Sequence, residues 1–303
     1  MNDKLIISIV TVCLNRENLI ERAIHSVLLQ NYKNYEHIII DGGSIDGTLD
    51  VLKKYPHLRI ISEPDLGVYD AMKKGIQIAQ GTIIGLLNSD DYYEKNIFRT
   101  VSKMFLNTEI DAICGNAIFI NEHGEKIGLV KSINNEKMFS RILYGPPIIN
   151  AWFFRRSFIN ELMPFNKNYQ LAADRDLLIR AHDKGIRILD YTGVFYYYLQ
   201  HEGSLTVNTD RKKRLLLIIE NLRMAVNYMN STSLETQILM KKWFLYLSSE
   251  GMKTALRIGT VSEFFKILFD VLRINPLWLF WILWDFLKES KRIFKRNNNA
   301  SKG

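Results

Sequence analysis

The chain reads as an α/β protein: a Rossmann-like, mostly parallel sheet with helices on both faces, followed by a helical C-terminal extension. Three observations predict this. Strand and helix signals alternate through the first 120 residues, the pattern of parallel strands joined by crossover helices. The strand segments are near-continuous β-branched runs, as in strands buried on both faces. Polar or acidic residues follow the strand ends directly, where open α/β sheets bind ligands.

Taken in order, Leu5–Val12 (LIISIVTV) is the first strand, and Asn18–Gln30 is a helix whose apolar stripe runs through Leu19, Ala23 and Val27. Glu36–Ile40 is the second strand, ending in Asp41-Gly42-Gly43-Ser44. A short helix over Thr48–Tyr55 leads to a strand at Leu58–Ser62, and Gly67–Ala79 is a helix with Ile76 and Ala79 turned inward. Thr82–Leu87 is a strand, Lys95–Phe105 a helix, and Ala112–Cys114 opens a further strand. From Gly124 to Gly203 the pattern is less regular. It holds a Gly145-Pro146-Pro147 turn, an apolar run at Ala151–Phe154, and a helix within 171–185 that Gly185 is placed to cap. From Asp210 the chain is helical, over Arg211–Tyr228 and Leu234–Leu256. The expected division is a domain at 1–209, in halves 1–120 and 121–209, and a helical region at 210–303.

A hydrophobic share of 47% with 24% charged residues supplies a proper core and excludes disorder as the theme. The net charge of +8 suits an anionic partner: a phosphate-bearing substrate or an anionic membrane face. Nucleic acid is not expected, because no basic–aromatic recognition motif accompanies the charge. No G-x-G-x-x-G follows the first strand, which disfavours a dinucleotide oxidoreductase. A nucleotidyltransferase is disfavoured too, for want of a glycine-rich basic triphosphate loop. Cys13 and Cys114 stand far apart, without metal-site or disulfide-framework spacing, and suit a reducing compartment. The N-terminal apolar stretch lacks a cleavage pattern and reads as a strand, not a signal peptide.

The C-terminal stretch 276–287 (PLWLFWILWDFL) is shorter than the ~20 apolar residues that span a bilayer. Before it, Glu263–Asn275 interleaves Lys266, Asp270 and Arg273 with apolar residues, and KESKRIFKR follows it. An interfacial membrane helix with a basic tail fits these features; a core helix or dimer seam is the alternative.

The chemistry concentrates at LLNSDDYY, residues 86–93. Asn88, Ser89, Asp90 and Asp91 at a strand's carboxyl end suit Mg²⁺ or Mn²⁺, which takes one or two carboxylates plus substrate phosphates. Such a cation also relieves the repulsion between adjacent carboxylates. Asn15 and Asp41 sit just past two other strand ends, so three motifs point to one edge.

VCLNRENLIERAIHSVLLQ, HIIIDGGSIDGT and SEPDLGVYDAMKKGIQIAQGTIIGLLNSDD, in that order, resemble the family 2 glycosyltransferases, which have the GT-A fold. The resemblance is strong over residues 5–120 and looser over 140–205. It implies a bacterial surface-polysaccharide enzyme. Such an enzyme moves a sugar from a nucleoside diphosphate donor, UDP first, to a lipid-linked or oligosaccharide acceptor, with inversion. The setting implied is the cytoplasmic face of the membrane. A non-catalytic subunit of the same fold is the other reading, suggested by three departures. Gly42 stands where many members have a second acid, Lys73 stands for an Asn, and Asn88 stands for the first Asp of the metal motif.

The resemblance also implies site residues. Thr11, Val12, Cys13, Asn15 and Asp41 would meet base and ribose, with Asp70, Lys73, Asn88, Ser89 and Asp90 on the rest of the donor. Asp90, Asp91 and His201 would hold the metal. Asp174 in AADRDLLIRA matches the base position, with Asp176 as rival and Arg180 as a structural partner of Asp176. A carboxylate there suits direct displacement, where the acceptor hydroxyl must lose its proton. Asn150 and Trp152 would face the acceptor.

Overall fold

The computed structural model describes residues 5–134, 138–162, 165–201, 210–231 and 233–285. The chain divides into two compact units, Met1–Val207 and Asn208–Gly303.

In the first unit, β1 (Ile7–Cys13) is buried at every position, as its largely β-branched run predicts, and its Ser8 and Thr11 are hydrogen-bonded to Glu36 and His37. It is followed by α1 (Ile20–Leu28), β2 (Tyr35–Asp41), α2 (Thr48–Lys53), β3 (Leu58–Ser62), α3 (Val68–Ile78) and β4 (Ile83–Asn88). These strands lie in the order β3-β2-β1-β4, all parallel. The carboxyl ends of β1, β2 and β4 therefore share one edge, and the strand order reverses at β1, the place where such sheets bind ligands. Ile20, Ile24, Ala23 and Val27 of α1 and Leu52 of α2 pack on the sheet face that carries Ile7, Ile9 and Cys13. α3 lies on the opposite face, over Val10.

The chain continues through β5 (Tyr92–Tyr93), α4 (Ile97–Met104), β6 (Ala112–Ile120), β7 (Lys126–Val130) and α5 (Met138–Tyr144). A 3-10 turn, Ile149–Ala151, leads into β8 (Trp152–Arg155), α6 (Arg156–Glu161), α7 (Ala173–Asp183) and β9 (Ile188–Leu199). The sheet extends as β4-β8-β6-β9-β5, with β7 beside β6. This half is mixed, whereas the sequence pattern suggested mostly parallel strands. β8 runs antiparallel to both β4 and β6, and its Phe153 and Phe154 pair with Gly85 and Ile84 on one side and Ile113 and Ala112 on the other. α7 ends as its sequence indicated. Gly185 has φ +75°, its N–H donates to the His182 carbonyl, and the Ile186 N–H donates to that of Ala181. This is a Schellman end, which needs a left-handed residue at that place.

The second unit holds α8 (Arg211–Tyr228), α9 (Leu234–Ile258), α10 (Val261–Ile274) and a helix over 278–285. Asp210 caps α8 by accepting the Lys212 N–H at 2.8 Å, and Ser233 caps α9 through the Thr236 N–H. The aromatic helix has a docked face. The Trp278 ring meets Phe244 of α9 at 5.8 Å, Ile282 is buried, and Asp285 accepts Lys253 Nζ at 2.7 Å and Ser249 Oγ at 2.6 Å. Leu277, Phe280, Trp281 and Trp284 remain exposed. On α10, Ile267 and Val271 are buried while Phe265, Phe269 and Leu272 are exposed. Among the described residues no helix is long and apolar enough to cross a membrane. The basic tail lies outside the described residues.

Candidate active site

The two adjacent carboxylates after β4 face opposite ways. Asp91 is buried, 1% exposed. Its Oδ1 accepts the Leu199 N–H at 2.7 Å, and its Oδ2 accepts the Tyr196 hydroxyl at 2.5 Å and the Asn88 amide at 3.0 Å. Burial, then the neighbouring charge of Asp90, pushes its carboxyl up to about 8. Both oxygens are thus engaged by β9 and by Asn88. Asp90 instead meets His201, just beyond β9, with Nε2 2.9 Å from its Oδ2. Asn88 is bonded on its other side as well: its Oδ1 accepts from Asn150 at 3.3 Å. Ser89 is buried between them.

The turns after β1 and β2 are stitched to each other. Asn15 adopts φ +53°, a left-handed conformation that Asn tolerates. Its N–H donates to Ser44 Oγ at 2.7 Å, and its Oδ1 accepts the Ile45 N–H at 2.9 Å. Thr11 is buried with its Oγ1 2.8 Å from His37 Nε2, inside the sheet. Val12 and Cys13 are buried as well. Asp41 sits beneath the second turn. It accepts the N–H groups of Gly43 and Ser44, the hydroxyls of Ser44 and Ser62, and the Cys13 thiol. Burial works to raise its carboxyl, and these bonds more than offset it, so it titrates below its ordinary value. Burial, aided by Asp41, pushes the Cys13 thiol up and keeps it protonated.

Gly42, the position without a second acid, has a neighbour that sequence reasoning did not single out. A Cβ added there would lie 2.5 Å from Oδ2 of Asp65. The carboxylate arriving from the loop after β3 therefore fills the space a side chain at 42 would enter. Its Oδ1 accepts the Gly67 N–H at 2.8 Å, which fixes the loop that opens α3. On α3, Asp70 accepts the Leu66 N–H at 3.2 Å and lies 3.5 Å from Lys74 Nζ, a first-turn acid in a structural role. Lys73 is half-buried and has no ion-pair partner among the described residues.

Across the site, α7 separates its two acids. Asp176 is buried against Arg180, with Nε 2.8 Å from Oδ2. Asp174 is half-buried; its Oδ1 accepts the Arg175 N–H at 2.7 Å, and the Tyr69 hydroxyl of α3 donates nearby to the Leu171 carbonyl, at 3.3 Å. Burial pushes Asp174 up to about 6, against the opposing pull of Arg175 and Tyr69. The Arg175 side chain turns inward. Its guanidinium donates to the carbonyls of Ile142, of Leu143 at 2.7 Å and of Gly145 at 3.3 Å, closing the C-terminal end of α5. Asn150, expected at the acceptor, is buried and bonded to Asn88. The Trp152 indole, expected to meet a sugar, lies in the core instead, 1% exposed and stacked on Phe154 at 5.7 Å. A bonded path thus links the acidic turn to α7: Asn88 to Asn150, then the turn after Gly145, then Arg175. None of Asp65, Tyr69, Arg175 and Tyr196 carries a sequence signal of its own beyond its place beside the motifs.

The sheet order, and the edge on which its polar turns gather, are those of a GT-A-like glycosyltransferase. Residues 8–168 match the model for "Glycosyl transferase family 2", and the chain belongs to that family. It is 30% identical to the PGL/p-HBAD biosynthesis glycosyltransferase of Mycobacterium tuberculosis, over 69% of this chain and 82% of that one. TarS 1–349 of S. aureus, solved with UDP, superimposes with a TM-score of 0.59 at 16% identity, covering 82% of this chain and 72% of TarS. The mannosyltransferase PcManGT of Pyrobaculum calidifontis, solved with GDP-Man and Mn²⁺, gives 0.57 at 14% identity, covering 92% and 83%. At these identities the structural likeness concerns the fold.

Proposed function

We propose that the chain is a metal-dependent, inverting glycosyltransferase acting on a nucleoside diphosphate sugar, a UDP-sugar first. The observation that carries this is Asp174: a half-buried carboxyl, set apart from the Asp90–His201 pair, with its pKa raised to about 6. A general base works best when its pKa lies near the operating pH. Asp174 takes the proton of the acceptor hydroxyl as that oxygen bonds to the anomeric carbon. The bond from that carbon to the diphosphate oxygen breaks, and its electron pair leaves on the diphosphate. One displacement inverts the anomeric centre.

Asp90 and His201 would hold Mg²⁺ or Mn²⁺. Among the described residues no group of three or more acids, histidines or cysteines could bind a metal alone. Two protein ligands suit a cation that completes its shell with substrate phosphates. When bound, the cation neutralises the leaving diphosphate. Asp91 supports the turn rather than the metal. Lys73 would meet the diphosphate, and Asp65, beside the turn that Asp41 holds, would meet the base, where a carboxylate favours one that presents an N–H. UDP in TarS and GDP-Man with Mn²⁺ in PcManGT support this donor class.

The acceptor we infer is a lipid-linked or oligosaccharide glycan of a bacterial surface polymer. The relatives named for teichuronic acid and PGL/p-HBAD biosynthesis support it. The exposed aromatic faces of α10 and 278–285 support a peripheral foot on the inner membrane face. The test is release of nucleoside diphosphate from a donor panel with Mn²⁺. Asp174→Asn keeps donor binding and loses release; near-full turnover of that variant rejects the reading.

A further inference from the structure

Asp90 and His201 come from separate stretches of chain. Asp90 lies in the turn between β4 and β5, and His201 two residues beyond the end of β9. β5 joins these stretches through two residue pairs, Tyr92 with Tyr197 and Tyr93 with Tyr196. Beyond Tyr92 the ladder stops and side chains take over. The Asp91 carboxyl accepts the Leu199 N–H at 2.7 Å and the Tyr196 hydroxyl at 2.5 Å. The same hydroxyl accepts the backbone N–H of Asn88, the last residue of β4, at 3.4 Å. From α1, Arg22 donates to the Asp90 carbonyl and lies over the Tyr92 ring, 5.0 Å from its centre, and Tyr92 stacks on Tyr197 at 4.6 Å.

We propose that Tyr196 is a positioning residue for the cation, holding Asp90 and His201 opposite each other from inside the core. The proposal rests on the reading of those two residues as metal ligands. Tyr196 is fully buried, with its ring edge-on to that of Tyr93 at 5.8 Å, so close packing fixes where its hydroxyl stands. A tyrosine hydroxyl can donate one hydrogen bond and accept others, and here both capacities are used on the acidic turn. It holds the turn at Asn88, where the turn begins, and at Asp91, directly after Asp90. Asp91 carries the tie on to Leu199, two residues before His201. Without that hydroxyl, the turn keeps only the short ladder, the Arg22 contact and the Leu199 N–H to align the two ligands. A site with two protein ligands binds well only if both stand ready together, because ordering them on binding costs affinity. Groups standing behind the ligands are therefore felt in metal affinity.

The experiment compares wild type, Tyr196→Phe and Tyr32→Phe in the full chain. UDP binding is followed by calorimetry without metal and across a Mn²⁺ titration, and melting is measured without metal. Tyr32 is the matched control: a buried tyrosine of the same unit whose hydroxyl donates to the Leu5 carbonyl and lies 2.9 Å from Ser102 Oγ. Each Phe variant loses a buried hydroxyl and melts below wild type. Only Tyr196→Phe raises the Mn²⁺ concentration that half-saturates the gain in UDP binding, by about tenfold, the lower end of what such supporting groups contribute. Its metal-free UDP binding stays within about twofold of wild type. A rise of less than about threefold overturns the proposal, and so does an equal rise in Tyr32→Phe, which would make the effect one of general stability. If Tyr196→Phe does not fold, Asn88→Ala, which removes the other side-chain donor to Asp91, is judged by the same criterion. Wild-type UDP binding that ignores Mn²⁺ overturns the metal reading and the proposal together. A Mn²⁺-dependent wild type with an unmoved Tyr196→Phe overturns the proposal alone.

Discussion

Replacing Arg175 with Met removes a buried cation that joins the fold to the chemistry. The guanidinium donates to the carbonyls of Ile142, Leu143 and Gly145, two of which belong to the last turn of α5. Those carbonyls have no partner within their own helix. Methionine retains part of the apolar stem and none of the donors. Each hydrogen bond from a charged donor is worth about 1.5–3 kcal/mol. The buried charge itself carries a desolvation cost, which lowers the pKa of Arg175 and offsets part of that gain. A net loss of about 3 kcal/mol follows. For a unit of this size, that lowers the melting temperature by roughly 6–12 °C. Arg99→Met is the control. Arg99 is exposed and, among the described residues, hydrogen-bonds only the Asn31 carbonyl, at 3.5 Å, so its loss shifts melting by about 2 °C or less.

The same substitution has a second readout. The Arg175 charge holds the Asp174 carboxyl down, so its removal takes that carboxyl above about 6 and moves the acidic limb of kcat/KM to higher pH. The folded carboxyl binds its proton more tightly than the unfolded one. Its contribution to stability is therefore full below 3.8 and is lost as pH rises to about 6. Melting of the variants is accordingly compared at one pH above that window. If Arg175→Met melts within about 2 °C of wild type and its acidic limb does not move, the reasoning is refuted.

Two further outcomes follow from the site. Asp90→Ala and His201→Ala each weaken Mn²⁺-dependent donor binding by calorimetry by tenfold or more on the order of one lost ligand; equal binding with and without Mn²⁺ in wild type would remove the metal from the account. Gly42→Ala places a Cβ 2.5 Å from Asp65 Oδ2, the far end of a side chain that can move. Stability then changes by less than about 1 kcal/mol, while UDP affinity falls as Asp65 is displaced; unchanged affinity in both Gly42→Ala and Asp65→Ala would show that this carboxylate does not meet the base.

The edge on which the polar turns gather was legible in the sequence because β1, β2 and β4 carry apolar, largely β-branched runs that stop at polar turns. The pairing of Arg180 with Asp176 was legible too, since the two lie four residues apart on one helix face. What was not legible depends on partners far along the chain. The inward turn of Asp91 is dictated by Tyr196 and Leu199 on β9, which no spacing near residue 91 reveals. β8 is short and aromatic, and its place between β4 and β6 follows from pairings with residues far away in sequence. That pairing draws Trp152 into the core and places Asn150 on Asn88. The approach of Asp65 to Gly42 exists only in space, so an apparent loss of an acid reads, in three dimensions, as a carboxylate supplied from another loop. In the aromatic helix, Trp278, Ile282 and Asp285 share a face, but that this face docks on α9 was not readable from composition.

The central claim is single displacement with Asp174 as base. The purified full chain is given Mn²⁺ and a panel of nucleoside diphosphate sugars with glycan acceptors, and the product of any accepted donor is read by NMR at its anomeric carbon. The expected result is Mn²⁺-dependent release of nucleoside diphosphate, an anomeric configuration opposite to the donor's, and no product from Asp174→Asn. A product that keeps the donor's configuration, or full turnover by Asp174→Asn, would contradict it.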